Sequence, residues 1–313
     1  MNIIKNRYTY FLISLLIIIP GIVFMVINWT QIKSAFPLGI DFTGGSLLEV
    51  QFEGTNTRPS ASAAREAFLK IAPDSDPTIQ PLGDDSFAIR SRTIDDAAKG
   101  LIVAEFGTIS STTVNVLAFT SVSASVGSEV TRAAGFAILM AALAILAYIW
   151  YAFRGVEHSF RYGTAAIIAM LHDVFVVLGV EAMLGFFLGW EADALFLTAL
   201  LTVIGFSVHD TIVVFDRIRE NSHVYRRIDY ETLVNHSTIQ TLDRSINTQL
   251  TVMFTLLALA LFGGESIRHF VIILLVGIFS GTYSSIFNAS PILVVWQNQE
   301  WKNWFKRSTV VSE

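Results

Sequence analysis

The sequence predicts a membrane all-α bundle of six transmembrane helices with an extracytoplasmic α+β domain of ferredoxin-like order. Three observations predict it. Six long apolar stretches each approach the roughly 20 residues that a bilayer span requires. The composition is 53% hydrophobic and 15% charged, with a mean hydropathy of +0.56, where ordinary globular proteins carry about 25% charged residues. Between the first and second stretches, strand-like and helix-like patterns alternate in the order βαββαβ.

Taken in order, the spans are Tyr10–Val26, Gly135–Phe153, Gly163–Leu188, Ala194–Phe215, Ile246–Phe262 and Phe270–Trp296. Lys5 and Arg7 precede the first as they would a signal peptide. Its downstream flank, Ile27-Asn28-Trp29-Thr30-Gln31, offers no small-x-small cleavage site, so the run is read as a retained anchor. Lys and Arg placement sets the orientation. Of 21 basic residues, 12 lie in the N-terminus, the loops 154–161 and 217–244, and the C-terminal tail. The short loops of the other side hold Arg268 alone, and eight basic residues fall in 31–132, a segment long enough to escape the rule. The expected layout is a cytoplasmic N-terminus with the first helix (1–30), an extracytoplasmic domain (31–132), a five-helix region (133–296) and a cytoplasmic tail (297–313).

Within 31–132, Ser46–Phe52 alternates as a strand does, and Ser60–Ile71 reads as a helix behind Pro59 and serine caps. Pro77–Leu82 and Asp85–Ser91 read as a hairpin turning at Gly83-Asp84. Thr93-Ile94-Asp95-Asp96 has capping-box spacing and opens a helix to Phe106; Thr113–Val122 is a last strand. With 12 acidic and 8 basic residues and no His or carboxylate cluster, this module reads as one that binds or braces something rather than as a catalyst or metal site.

Composition excludes several function classes. The chain has no Cys, which removes disulfides, thiol catalysis and Cys-ligated metals, and its net charge of −5 gives no general attraction to nucleic acid. On the last span, Gly277, Gly281, Ser285 and Ala289 recur every four residues, a ridge that lets another helix approach closely. Ala133, Ala137 and Ala141 make a weaker ridge on the second.

An ionisable group at bilayer depth costs at least about 2.5–3.5 kcal/mol on insertion scales, so each one asks for a reason. Asp173 lies about 18 Å along the helix from Arg161, and Asp210 about 10 Å from Arg217, at 1.5 Å per residue. Their spans run antiparallel, which sets the two carboxylates at comparable depths. Each follows a histidine, His172 and His209. Arg244 precedes a span that begins Asn247, Thr248, Gln249, and a guanidinium there can pair with a carboxylate. Two buried carboxylates beside one cation fit a proton relay, and they fit equally a static polar lock between helices. Glu181 and Glu191, toward the outer face, read as interfacial. Intramembrane aspartyl proteases also carry two Asp on neighbouring spans, but the Gly-x-Gly-Asp context expected there is absent. Around Asp210 the sequence is Gly205-Phe206-Ser207-Val208-His209-Asp210.

Several stretches together resemble the SecF family, the partner of SecD in bacterial protein export: GIDFTGG (Gly39–Gly45), HDV (His172–Val174), GFSVHDTIVVFDRIREN (Gly205–Asn221), TLDRSINT (Thr241–Thr248), LFGGESIR (Leu261–Arg268) and GTYSSIFNASP (Gly281–Pro291). The likeness covers nearly the whole chain in order. It implies a transporter of the resistance–nodulation–division type, without enzymatic activity or cofactor, that uses protons as coupling ion to complete translocation of secretory polypeptides. The implied setting is the bacterial inner membrane and its lipid, with SecD, the SecYEG channel and SecA-driven substrates as partners and SecD meeting the small-residue ridges. By position, Asp210, Asp173 and Arg244 match the family's membrane aspartates and arginine, and Asp41, Gly44 and Gly45 match its signature after the first span, of structural character. His209 stands where the family usually has Asn, which brings this histidine into the expected relay. Val122-Ser123-Ala124 replaces the family's Val-Gly-Pro in the linker to the second span. A proton-driven small-molecule exporter subunit and a non-conducting scaffold are the alternatives.

Overall fold

The computed structural model describes residues 2–54, 58–154 and 159–302. Helix α1 (Arg7–Ile32) is followed by the single turn α2 (Ile40–Thr43), β1 (Gly45–Phe52), α3 (Ala61–Ile71), β2 (Thr78–Leu82), β3 (Ser86–Ser91), α4 (Asp96–Ser110) and β4 (Val114–Val122). Five more helices follow: α5 (Ala124–Phe153), α6 (Ser159–Leu188), α7 (Ala194–Val224), α8 (Tyr230–Phe262) and α9 (Glu265–Ser284). A π-helical turn, Ser285–Ala289, then carries the chain into α10 (Ser290–Gln297). Six helical segments are long and apolar enough to cross a membrane, α9 to α10 counting as one. The chain divides into two compact units: residues 37–137 with 191–194, and the rest.

In the first unit the four strands pair antiparallel in the order β2-β3-β1-β4. Period-two alternation in β1 sends Leu48, Val50 and Phe52 to one face, opposite Ile89 and Phe87 of β3. Helices α3 and α4 supply Ala64, Phe68, Ile102 and Phe106 to the same core. Ser60 caps α3 by accepting from Ala63 N at 3.2 Å. For α4 the capping residue is Asp95, accepting from Ala98 N at 2.8 Å, and not Thr93, whose hydroxyl donates to Val122 O. The helix therefore starts at Asp96 and runs to Ser110, past the expected Phe106.

The signature glycines lie where this unit folds back on itself. Gly44 (φ +72°) and Gly45 (φ +127°) adopt backbone conformations that side chains disfavour. A Cβ on Gly44 would sit 2.7 Å from Ala124 Cα, and one on Gly127 of α5 would sit 2.6 Å from Gly44 N. Asp41 Oδ2 accepts from the backbone N–H of Ala194 at 2.9 Å, while Gly39 N donates to Ala192 O at 2.7 Å. The residues joining α6 to α7 are thus built into this unit. Ser123, in the linker that departs from the family pattern, turns its hydroxyl to Val126 N at 3.4 Å and starts α5 at once.

In the second unit, about half of the most apolar stretch is buried in α6, α7 and the last span, against 11–17% in α1, α5 and α8. The first three are the bundle core. Helix α1 lies against α6 backbone to backbone: a Cβ on Gly21 would fall 2.6 Å from Gly179 Cα. Helices α7 and α8 extend well past the apolar cores of their spans, so only 225–229 of the expected loop 217–244 is non-helical. Asn221 Nδ2 donates to Ser237 Oγ at 2.8 Å and Gln240 Oε1 at 2.9 Å, zipping these extensions together.

Candidate functional site

Asp173 of α6 is 1% exposed and sits in a cage of donors. His172 Nδ1 (2.9 Å) and Ser280 Oγ (2.6 Å) reach its Oδ1, while Ser207 Oγ (2.5 Å) and Ser284 Oγ (2.6 Å) reach its Oδ2. Four donors fill the acceptor sites that an ionised carboxylate offers. Three helices supply them, because Ser280 and Ser284 are one turn apart on α9 and Ser207 faces them from α7. Gly281 makes the approach possible: a Cβ there would lie 3.3 Å from Ser207 Cα and 3.7 Å from Asp173 Oδ2.

Asp210, on α7 one turn beyond Ser207, is 4% exposed and sparsely bonded. Its Oδ1 accepts from Ser245 Oγ at 2.9 Å, and its Oδ2 has no partner among the described residues. Gln249, one turn after Ser245 on α8, is also buried with its Oε1 unpartnered. Thr211 and Ser285 share a hydroxyl hydrogen bond at 2.9 Å, and Ser285 Oγ donates to Ser207 O at 3.3 Å. Beside them, the π-helical turn admits Pro291, and Ser290 Oγ donates to Ser285 O at 3.3 Å across it. The site therefore sits where α6, α7, α8 and the irregular last span converge.

The structure separates the expected relay residues. Asp173 and Asp210 come together through α7. Arg244 is exposed and makes no ion pair among the described residues; the residue that reaches Asp210 is its neighbour Ser245, one helical step of 100° away. His209 is likewise exposed, and the histidine in the cluster is His172, whose ring lies 6.1 Å from that of Tyr283 and whose Nε2 is unpartnered. The ridge of the last span packs inside the chain rather than awaiting a partner. A Cβ on Gly277 would meet Val203 Cγ2 at 2.1 Å, and Ser285 and Ala289 are fully buried. Glu181, read as interfacial, is fully buried too. Sequence reasoning missed the serines of the cage; their i, i+4 spacing on the last span was the available signal. An apolar cavity of about 730 Å³, lined by Ile17, Val176, Leu250, Phe254 and Tyr283, reaches His172 and Ser280.

With this geometry in view, comparison with known proteins decides the family. The family model for the SecD/SecF C-terminal region of protein export membrane proteins matches residues 103–299, and that for the SecD/SecF GG motif matches 34–55. The protein translocase subunit SecF of Anaerolinea thermophila is 53% identical, with 98% of this chain and 97% of the relative covered. The chain belongs to the SecF family. The SecF of Thermobaculum terrenum is 47% identical over 98% of each chain. The crystal structure of SecDF, a translocon-associated membrane protein from Thermus thermophilus, superposes with a TM-score of 0.79 at 31% identity over 95% of this chain. This SecF-family chain spans 39% of the longer SecDF chain. SecF relatives are named as translocase subunits, and the six apolar helices make this chain a multi-pass membrane protein.

Proposed function

We propose that this chain works with SecD in the bacterial inner membrane, both termini cytoplasmic, and uses proton-motive force to drive late, ATP-independent steps of polypeptide translocation through SecYEG after SecA has acted. The observation that carries the proposal is Asp210: a buried membrane carboxylate with one oxygen held by Ser245 and the other unpartnered. Such a group can take a proton on Oδ2 without breaking the Ser245 hydrogen bond on Oδ1. Asp173, its acceptor sites filled by four donors, is the fixed member of the pair and Asp210 the cycling one.

Protonation at Oδ2 removes a charge from the interface of α7 with α8 while the Ser245 bond holds the side chain in place. A proton crossing the full potential releases about 2.3 kcal/mol per 100 mV, so a few protons bias a two-state bundle strongly. Arg244, His209, Asn247 and Thr248 are exposed polar groups on these same membrane helices. A partner's helices cover them more cheaply than lipid does, which supports SecD docking on this face instead of on the ridge of the last span. The fused SecDF relative supports the same pairing.

The test is translocation into inverted vesicles with ATP, with and without an imposed proton gradient. Asp210→Asn keeps shape and the Ser245 bond but cannot titrate, so it should abolish the gradient-dependent stimulation while leaving SecD co-purification and ATP-driven export intact. Asp210→Glu should be milder. Full stimulation in Asp210→Asn would leave the chain a non-conducting scaffold.

A further inference from the structure

A second pair of ionisable side chains meets at the opposite end of the bundle from Arg161 and Arg217. Glu181 of α6 is fully buried; its Oε2 lies 2.7 Å from His269 Nε2, and its Oε1 has no partner among the described residues. His269, in the second turn of α9, keeps 17% of its side chain exposed. Its ring packs 4.8 Å from that of Trp190 and runs near-parallel to Phe196 at 6.4 Å. Asn28 of α1 donates to the carbonyl of the next residue, Ala182 O, at 3.0 Å. A carboxylate in such surroundings is costly, and the side chain that contacts it is itself ionisable.

A proton bound at this 2.7 Å contact can sit on either partner, and transfer along it interconverts carboxylate with imidazolium and acid with imidazole. A second proton has a place on Oε1. The exposed edge of His269 gives water access to the side chain whose ordinary titration lies closest to neutrality. Other ionisable groups on the packed elements are few. Helix α6 contributes His172 and Asp173 deeper in the bundle, Glu265 and Arg268 precede His269 on α9, Glu191 follows the Trp190 whose ring packs on His269, and the nearer halves of α1, α7 and α8 carry none. The two helices that hold the pair also hold the Asp173 cage. From Glu181 to Asp173 is about 12 Å along α6 at 1.5 Å per residue, through a buried apolar layer of Val176, Val177 and Ile273.

We propose that Glu181 and His269 form a proton-exchange site on the extracytoplasmic side, which loads protons from outside and delivers them past the Asp173 cage to Asp210 when the apolar layer between Glu181 and that cage opens to water. This rests on the reading that protons drive the protein. The experiment uses the full chain with SecD in membranes. Attenuated-total-reflection infrared difference spectra across external pH of about 5 to 8 should contain a protonated-carboxyl band that Glu181→Gln removes, Asp210→Asn retains and His269→Gln shifts. In inverted vesicles, Glu181→Gln and His269→Gln should lose the dependence of gradient-driven export on lumenal pH, with protein level and SecD co-purification unchanged. A Glu181→Gln protein with the wild-type band and pH profile would overturn the exchange site while an inactive Asp210→Asn still upheld proton coupling. Retained stimulation in Asp210→Asn would instead overturn the coupling itself.

Discussion

Glu191 lies between α6 and α7, outside the membrane helices, and its carboxyl is pushed up to about 7 because burial outweighs the attraction of Arg90, with which it is ion-paired. Burial likewise lowers Arg90, so both partners carry a desolvation cost that their contact does not fully offset. The sign follows from proton binding: between its ordinary value of 4.5 and about 7, the folded state holds the Glu191 proton more tightly than the opened state. The contribution of Glu191 to the stability of the closed segment is therefore full below the ordinary value and falls as pH rises through that window, by an amount on the order of 1–3 kcal/mol. Amide exchange, corrected for intrinsic rates, should show protection of 86–91 and 191–194 declining from acid to neutral pH, and Glu191→Gln should flatten the profile. Residue-level physics also explains which site members the sequence could reveal. Asp173 and Asp210 stand out because a carboxylate inside an apolar run demands a reason. Ser207, Ser245, Ser280 and Ser284 do not, because a serine in a membrane helix satisfies itself on its own backbone and only the facing geometry tells a cage from a bystander. Arg244 and Ser245 differ by a single helical step, and hydropathy does not fix rotation that finely.

At the scale of elements, small residues set how closely helices approach. Val203, fully buried on α7, occupies the space a side chain at Gly277 would need, and the branched Val has little freedom to withdraw. Gly277→Ala should therefore destabilise the bundle by about 1–3 kcal/mol through overpacking, read as a lowered melting temperature of the purified protein by intrinsic fluorescence. Gly205→Ala, with nothing within 4 Å of its new Cβ, is the matched control and should be neutral or stabilising. The apolar cores of all six spans were legible because bilayer length and hydropathy leave little choice, and the βαββαβ order because strand alternation, caps and turns agree with one another. The ends of α7 and α8 were not. Their extensions are polar and are held by contacts such as Asn221 with Ser237, which no local signal reports. The π-helical turn before Pro291 is equally silent, since the hydroxyl that donates to its Ser285 carbonyl comes from Ser290, and a serine there carries no distinctive pattern.

For the molecule as a whole, the distribution of charge and of helix ends predicts which faces meet the cytoplasm. The bias of 12 basic residues to one on the two faces argues that the α7–α8 connection is inside and the sheet-bearing unit outside. The helical extensions narrow the exposed target: residues 223–229 are open, with Arg226 and Arg227 at the turn, while Arg217 is tied to Gln240 and Glu220 within the helical pair. Trypsin added to inverted vesicles should cut first at Arg226–Arg227 and leave the sheet-bearing unit whole. Added to intact spheroplasts it should spare that site and reach the outer unit, where Lys70 on α3 presents most of its side chain to solvent despite its contact with Glu105. The two digests should thus be complementary, and cleavage at Arg226 in spheroplasts would invert the topology. Inversion would also relocate the chemistry, because the Glu181–His269 pair and the Asp210 end of the bundle would exchange sides and the proton would have to enter where the present arrangement releases it.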